Sequence, residues 1–368
     1  MSAPVERAAA PPAGASRTPV VVLGATGAVG ERMVARLQAH PWFELVGVAG
    51  SPRSVGRCFA DVVGNTDAEG HPWHPEVARL PILPPDPGQL PQVAVAFSAL
   101  EAGVAGDVER SFAEAGVQVV TNARPHRMDP RVPLLVPEVN PESLALLGGQ
   151  GFPAGGGIVA NPNCSTIGVA LALAPLHRAF GVRRLHVTTL QAISGAGKGG
   201  LPAWEIQDNV IPFIAGEEEK IEGELGKILG SEVAVSAHCT RVPVSDGHLA
   251  TLSVAFEERP TPEEAARVLA EFRGLPQELA LPTAPRQPLH LVTDPAGPQP
   301  RKHRGLEGGM AVAVGRVRPC PLLHLRFVVL SHNTVRGAAG GALLCAELAV
   351  ARGFGSAQPR VTPPPTPR

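Results

Sequence analysis

The chain has 368 residues, room for two domains at roughly 100 to 200 residues each. Its 32 basic and 33 acidic residues leave a net charge of −1, and 11 phenylalanines, 3 tryptophans and no tyrosine supply few rings. With neither a basic field nor stacking platforms, the composition argues against nucleic acid as a partner, and no phenol is available as acid, nucleophile or radical. The five cysteines are an odd number without a C-x-x-C pair, which fits a reducing compartment, the cytoplasm, better than a disulfide framework. The longest apolar stretch, Thr166 to Leu176, is interrupted by Gly168 and Pro175 and falls short of a membrane span.

In chain order, residues 1–18 read as a proline-containing disordered leader. Val20 to Leu23 is an apolar, β-branched run suited to a buried parallel strand. The loop Gly24-Ala25-Thr26-Gly27-Ala28-Val29-Gly30 follows, then a helix with Met33, Val34 and Leu37 inward. Glycines 24, 27 and 30 allow a tight turn and let backbone N–H groups approach a pyrophosphate. After a second strand, Leu45 to Ala49, an acidic residue would hold the ribose hydroxyls of NAD. The chain offers instead Gly50-Ser51-Pro52-Arg53-Ser54, whose guanidinium and hydroxyls suit a 2′-phosphate, so NADP is the expected cofactor; a solvated polar turn is the alternative. Strands at Val93–Ser98 and Val117–Thr121 flank a helix at about 101–115, and the prolines between Pro72 and Pro91 mark a long loop. This α/β pattern predicts a Rossmann-type NADP-binding domain over 19–163.

Asn161-Pro162-Asn163-Cys164-Ser165-Thr166 opens a helix running to about Phe180. A thiol at a helix N-terminus is expected to have its pKa lowered, and the thiolate is the nucleophile; the Asn163 side chain and nearby N–H groups are placed to stabilise an oxyanion. Cys58, Cys239, Cys320 and Cys345 read as core residues. Strand signals at Leu185–Gln191, Val233–Ala237, Leu249–Phe256, Met310–Val317 and Leu322–Leu330, with helices near 202–209, 217–229 and 262–272, predict a mixed-sheet α+β domain over 164–330. The seven prolines between Pro276 and Pro300 read as a second long loop. His248 falls in a loop between two strands and is one of twelve histidines competing to partner the thiol. His71 and His74 lack a ligand cluster, so no metal site is expected. A final Ala/Leu-rich helix within 331–355 is expected to return to the first domain, leaving 356–368 as a disordered proline-rich tail.

Eight segments, GATGAVG, SPRS, TNARPHRMDPRVPLLVPEVNP, NPNCST, LQAISGAGKGG, GEEEKIEGELGKILG, RVPVSDGH and SHNTVRGAAGG, stand in one order in which the chain, from about Val20 to Ala351, resembles the aspartate-semialdehyde dehydrogenase family. Their wording is closer to the archaeal and fungal branch. The resemblance implies a glyceraldehyde-3-phosphate dehydrogenase-like fold, a homodimer or homotetramer, and NADPH-dependent reductive dephosphorylation of aspartyl phosphate for lysine, methionine and threonine synthesis. It implies Cys164 as nucleophile, His248 as acid–base group and Gln191 as the glutamine that positions substrate and thiol. Arg241 matches the clamp on the substrate carboxylate, Glu217 the partner of its ammonium, and Lys220 a phosphate contact. Asn122, Arg127 and then Arg124 match phosphate-holding positions. Ser98, Ser194, Gly195, Gly197 and Asn333, with the glycine loop and Ser51, Arg53 and Ser54, match cofactor contacts.

Lys198 departs from the pattern, standing where that branch often has an aromatic residue. The nearest rival is a malonyl-CoA or succinyl-CoA reductase of the same branch, which shares the thiol, histidine and nucleotide loop. N-acetyl-γ-glutamyl-phosphate reductase is more distant, and a non-catalytic dinucleotide-binding regulator would not require Cys164 and His248.

Overall fold

The computed structural model describes residues 17–198 and 200–354. The expected tail 356–368 and nearly all of the expected leader lie outside them, but Thr18 already belongs to the first strand.

The first half alternates strand and helix: β1 (Thr18–Leu23), α1 (Ala28–Leu37), β2 (Phe43–Ala49), β3 (Ile82–Leu83), β4 (Val95–Ser98), α2 (Ala102–Glu114), β5 (Gln118–Thr121) and β6 (Gly157–Ala160). The six strands pair in parallel in the order β3-β2-β1-β4-β5-β6, so the direction of winding reverses between β1 and β4. β4, β5 and β6 are buried at every position, as a sheet covered on both faces requires. At the carboxyl ends of β4 and β5, Ser98 and Thr121 both donate to the fully buried Glu109 of α2, at 2.6 and 2.5 Å, tying the strand ends beside the crevice.

α3 (Cys164–Phe180) then leads into β7 (Val182–Gln191), α4 (Glu217–Leu229), β8 (Ala234–Arg241), β9 (His248–Phe256), α5 (Pro262–Glu271), β10 (Leu289–Val292), β11 (Val312–Pro319) and β12 (Leu325–Ser331). These strands form a mixed sheet in the order β10-β11-β12-β9-β7-β8, parallel only at its two ends. α3 is buried from Ser165 to Leu176 and packs in the core that the two sheets share, which explains a helix apolar on every side. After a π-turn at Val335–Ala339, α6 (Gly340–Ala351) returns to the first sheet, packing Leu343, Leu344 and Leu348 with Val20, Val22, Val95 and Phe97.

Three short strands differ from the sequence expectation. β3 and β10 lie within the two proline-rich stretches read as loops; both are edge strands, where a missing N–H does not break a ladder. β6 is only four residues and begins with a glycine. His248 also proves to be the first residue of β9 rather than a loop residue, because its pairing with Ser331 extends the β9–β12 ladder by one step.

The return of α6 is locked by a fully buried pair: Arg336 Nη1 and Nη2 donate to Glu138 Oε1 and Oε2 at 2.7 and 2.5 Å. Glu138→Gln would leave the guanidinium buried without its counter-charge, a loss of roughly 3–5 kcal/mol in urea unfolding. Glu257→Gln at the exposed Arg183 pair should cost about 1 kcal/mol or less. Equal shifts of the two urea midpoints would contradict this assignment.

Candidate active site

The crevice end of the first sheet is shaped by glycines. Gly24 has φ +74°, and a Cβ there would stand 2.6 Å from Ala99 O; at Gly30 it would stand 2.2 Å from Gly24 O. Gly27 is the N-cap of α1 and provides no side-chain cap, and Thr26, Gly27, Ala28 and Val29 are partly exposed. The first-turn N–H groups therefore face outward at the topological switch point, with the shape and polarity that a dinucleotide pyrophosphate needs. Past β2, Ser51 and Arg53 are exposed, whereas Ser54 is buried and donates to Ser51 O at 2.9 Å, closing the loop on itself. Arg53 is thus the accessible cation of this loop. Ser98 is fully buried and its hydroxyl donates to Glu109, so its side chain offers the crevice no free donor.

The thiol lies at the junction of the two sheets. Cys164 is the first residue of α3, and Asn163 caps the helix by accepting from Ser165 N at 2.9 Å. Asn163 N donates to Glu224 Oε2 at 2.7 Å, and its side-chain amide donates to both oxygens of Glu217, at 3.2 and 3.1 Å. Gln191, at the end of β7, donates to Glu217 Oε2 at 3.1 Å, and Lys220 to Oε1 at 2.5 Å. Burial alone would raise the pKa of Glu217, but these donors outweigh it and hold the carboxyl below its usual range.

The lowered thiol pKa expected from the helix terminus is reversed. Burial first, then the Glu217 charge, push Cys164 up to about 12 against the opposing pull of Arg127, Arg241 and Lys220. One helix-terminal donor, Ser165 N–H, is already taken by the Asn163 cap.

His248 and Cys164 line one cavity of about 10 Å³. Ala192 N donates to His248 Nδ1 at 3.0 Å, so the neutral ring carries its proton on Nε2, which is buried and has no protein partner. Burial, then Arg241, push its pKa down to about 3. Arg241 donates to Ala192 O at 2.7 Å, which fixes both side chains against one loop. A Cβ on Gly195 would come within 2.8 Å of Arg241 Nη1 and 3.1 Å of His248 Nε2, so only glycine lets this loop close over them. Asn333 accepts from Gly247 N at 2.8 Å and donates to Ser194 Oγ at 2.9 Å, ordering the loop rather than presenting a free group. Gly197 has φ +81° and carries the loop onward to Lys198.

The two arginines have different settings. Arg127 is buried, donating to Glu224 Oε1 at 3.0 Å and Asn122 O at 2.7 Å, so it braces the carboxylate that holds Asn163. Arg124 is exposed and lies near Gly216, the N-cap of α4, beside Glu217 and Lys220. Asn122 accepts from Asn161 at 2.7 Å, and its own amide nitrogen is a buried donor without a partner.

Sequence reasoning missed Glu224 and Gly337. A Cβ on Gly337 would stand 2.7 Å from Cys164 Cβ, so the π-turn packs directly against the thiol residue. The small-residue run GAAGG was the available signal, but its partner lies far away in sequence.

Comparison with known proteins agrees with this architecture. Residues 19–147 match the family model for the semialdehyde dehydrogenase NAD binding domain, and 173–336 that for the semialdehyde dehydrogenase dimerisation domain. Aspartate-semialdehyde dehydrogenase of Methanothermobacter thermautotrophicus is 45% identical, with 89% of this chain and 98% of the relative covered. The Saccharomyces cerevisiae enzyme is 42% identical over 90% and 97%. The crystal structure of the Candida albicans enzyme with NADP superposes with a TM-score of 0.84 at 38% identity, covering 92% of this chain and all of that one. With a crevice, a thiol and a carboxylate–guanidinium pair laid out on two sheets, and relatives this similar over nearly their full length, the chain belongs to the aspartate-semialdehyde dehydrogenase family.

Proposed function

We propose that the protein reduces L-4-aspartyl phosphate with NADPH to L-aspartate 4-semialdehyde and phosphate, feeding lysine, methionine and threonine synthesis. The observation that carries this reading is the Cys164 thiol, set close to a charged carboxylate, Glu217, and a buried guanidinium, Arg241, at the junction of the two sheets. Arg241 takes the substrate α-carboxylate and Glu217 its α-ammonium, which orients the acyl phosphate toward Cys164. An acyl-CoA substrate has no ammonium to offer Glu217.

Substrate binding also changes the thiol. The incoming ammonium compensates the Glu217 charge and removes one of the two causes that hold Cys164 protonated. The sulfur then forms its bond to the acyl carbon, and the bond from that carbon to the phosphate oxygen breaks. The thiol hydrogen departs with the leaving group as hydrogen phosphate, held by Arg124, Lys220 and the free amide of Asn122. Bound NADPH supplies the hydride that converts the thioester to the aldehyde. His248, with its proton on Nε2, holds the departing sulfur by a hydrogen bond, and the proton that restores the thiol comes from water. Arg53 selects the phosphorylated ribose, and Asn163 and Gln191 hold the carboxylate that all of this depends on.

The matched dimerisation domain and the exposed Trp204 and Phe213, 78% and 65% accessible, support assembly as a homodimer or homotetramer through the second sheet's domain. Five unpaired cysteines support a cytoplasmic location. Among the described residues no helix is long and apolar enough to cross a membrane.

Purified protein given aspartate semialdehyde and NADP should form NADPH only when phosphate is added, with malonyl-CoA plus NADPH inert in parallel; phosphate-independent or absent turnover overturns the reading. Cys164→Ala should lower turnover by about 10³-fold or more while changing NADP affinity less than about twofold. Near-normal turnover would remove Cys164 as nucleophile.

A third expectation concerns pH. The folded His248 titrates at about 3 rather than 6.5, so between those values the unfolded chain takes up a proton that the folded one refuses. Its contribution is therefore present above pH 6.5 and lost as the pH falls. His248→Gln should show a smaller drop in urea midpoint between about pH 7.5 and about pH 5 than the wild type. Identical drops would mean that His248 is not buried in its neutral form.

A further inference from the structure

Lys198 sits in the glycine-rich loop that follows β7 in the second domain, yet its ammonium bonds two groups of the first domain: Glu31 Oε1, and Thr26 O at 3.4 Å. Thr26 lies in the glycine loop, and Glu31 is the acidic residue in the first turn of α1. The side chain of Glu31 is 14% exposed and that of Lys198 is 56% exposed. A carboxylate there suits the helix dipole, but it stands beside the N–H groups on which a pyrophosphate would lie, where like charges repel. The neighbouring cation, Arg32, is engaged with Glu69 at 2.9 Å and with Asp246 at 3.4 Å. Lys198 is the cation that Glu31 holds.

We propose that Lys198 is a cofactor-binding residue whose ammonium moves from Glu31 to the pyrophosphate of the dinucleotide, so that Glu31 sets cofactor affinity by competing for that ammonium. The inference rests on the dinucleotide reading of the crevice and assigns to it a residue from the opposite domain. Three features support the exchange. A half-exposed ion pair is weakly held against solvent. The four-carbon lysine stem is flexible and carries a point charge that reorients without a fixed fork geometry. The pyrophosphate brings more negative charge than one carboxylate, to a place within reach of Thr26 O, which Lys198 already bonds.

The test compares dissociation constants by titration calorimetry for NADPH and for adenosine 2′-monophosphate, which keeps the 2′-phosphate but lacks the pyrophosphate. Lys198→Ala should weaken NADPH binding about tenfold, the scale of one charge-assisted hydrogen bond. Glu31→Gln should tighten it about threefold by releasing the ammonium. Neither should move adenosine 2′-monophosphate, and Lys198→Arg should restore most of the affinity. Melting temperatures check that the variants are folded. If both substitutions leave NADPH affinity within about twofold, the pair is an ordinary surface contact and the proposal fails. If Glu31→Gln weakens binding along with Lys198→Ala, the pair is a cross-domain tie and the competition is wrong. A wild type that does not bind NADPH at all would overturn the dinucleotide reading itself and the proposal with it.

Discussion

The Glu217 carboxylate is the charge around which the candidate site is arranged. It receives hydrogen bonds from the residue that caps the Cys164 helix, from the end of β7, and from Lys220 one turn along its own helix. Three separate elements therefore meet at one pair of oxygens, and moving any of them shifts the others. Because these donors keep the group ionised despite burial, a negative charge persists close to the thiol. That charge works against the thiolate when nothing opposes it; in the proposed function an ammonium opposes it, which would couple substrate recognition to nucleophile activation in one group.

The same burial sets the state of His248. A dry imidazole that accepts from a backbone N–H has one proton on a defined nitrogen and resists a second. Cys164 and His248 are thus both neutral, rather than a preformed thiolate–imidazolium pair. The helix terminus alone does not change this, because a macrodipole contributes typically 0.3–1 kcal/mol, whereas burial and the Glu217 charge together push the thiol up to about 12. Local sequence shows the helix start; it does not show what lies over it.

What was legible in the sequence follows from range. The glycine loop after β1 and the Asn-Pro-Asn-Cys helix start are local arrangements, written in consecutive residues by turn and capping chemistry. The short edge strands β3 and β10 were hidden because prolines, tolerated at an edge, read as loop. Arg127 and Arg124 are three residues apart and equivalent by composition, yet one is fixed by Glu224, 97 positions away, and the other is exposed. No periodicity carries that distinction.

Long range also explains the glycines near the C-terminus. Gly337 admits the Cys164 Cβ, and a Cβ on Gly341 would meet Asn161 Oδ1 at 3.0 Å. Asn161 in turn donates to Asn122. The returning segment therefore closes the back of the Cys164 turn from both ends, with Arg336, immediately before Gly337, pinned to Glu138. Small residues are needed on the segment because the residues it covers cannot move away: one opens α3 and the other directly follows the edge strand β6. The thiol is thus held from three sides, by the Glu217 network in front, by the shared core beneath α3, and by a backbone that only glycine allows to come so near.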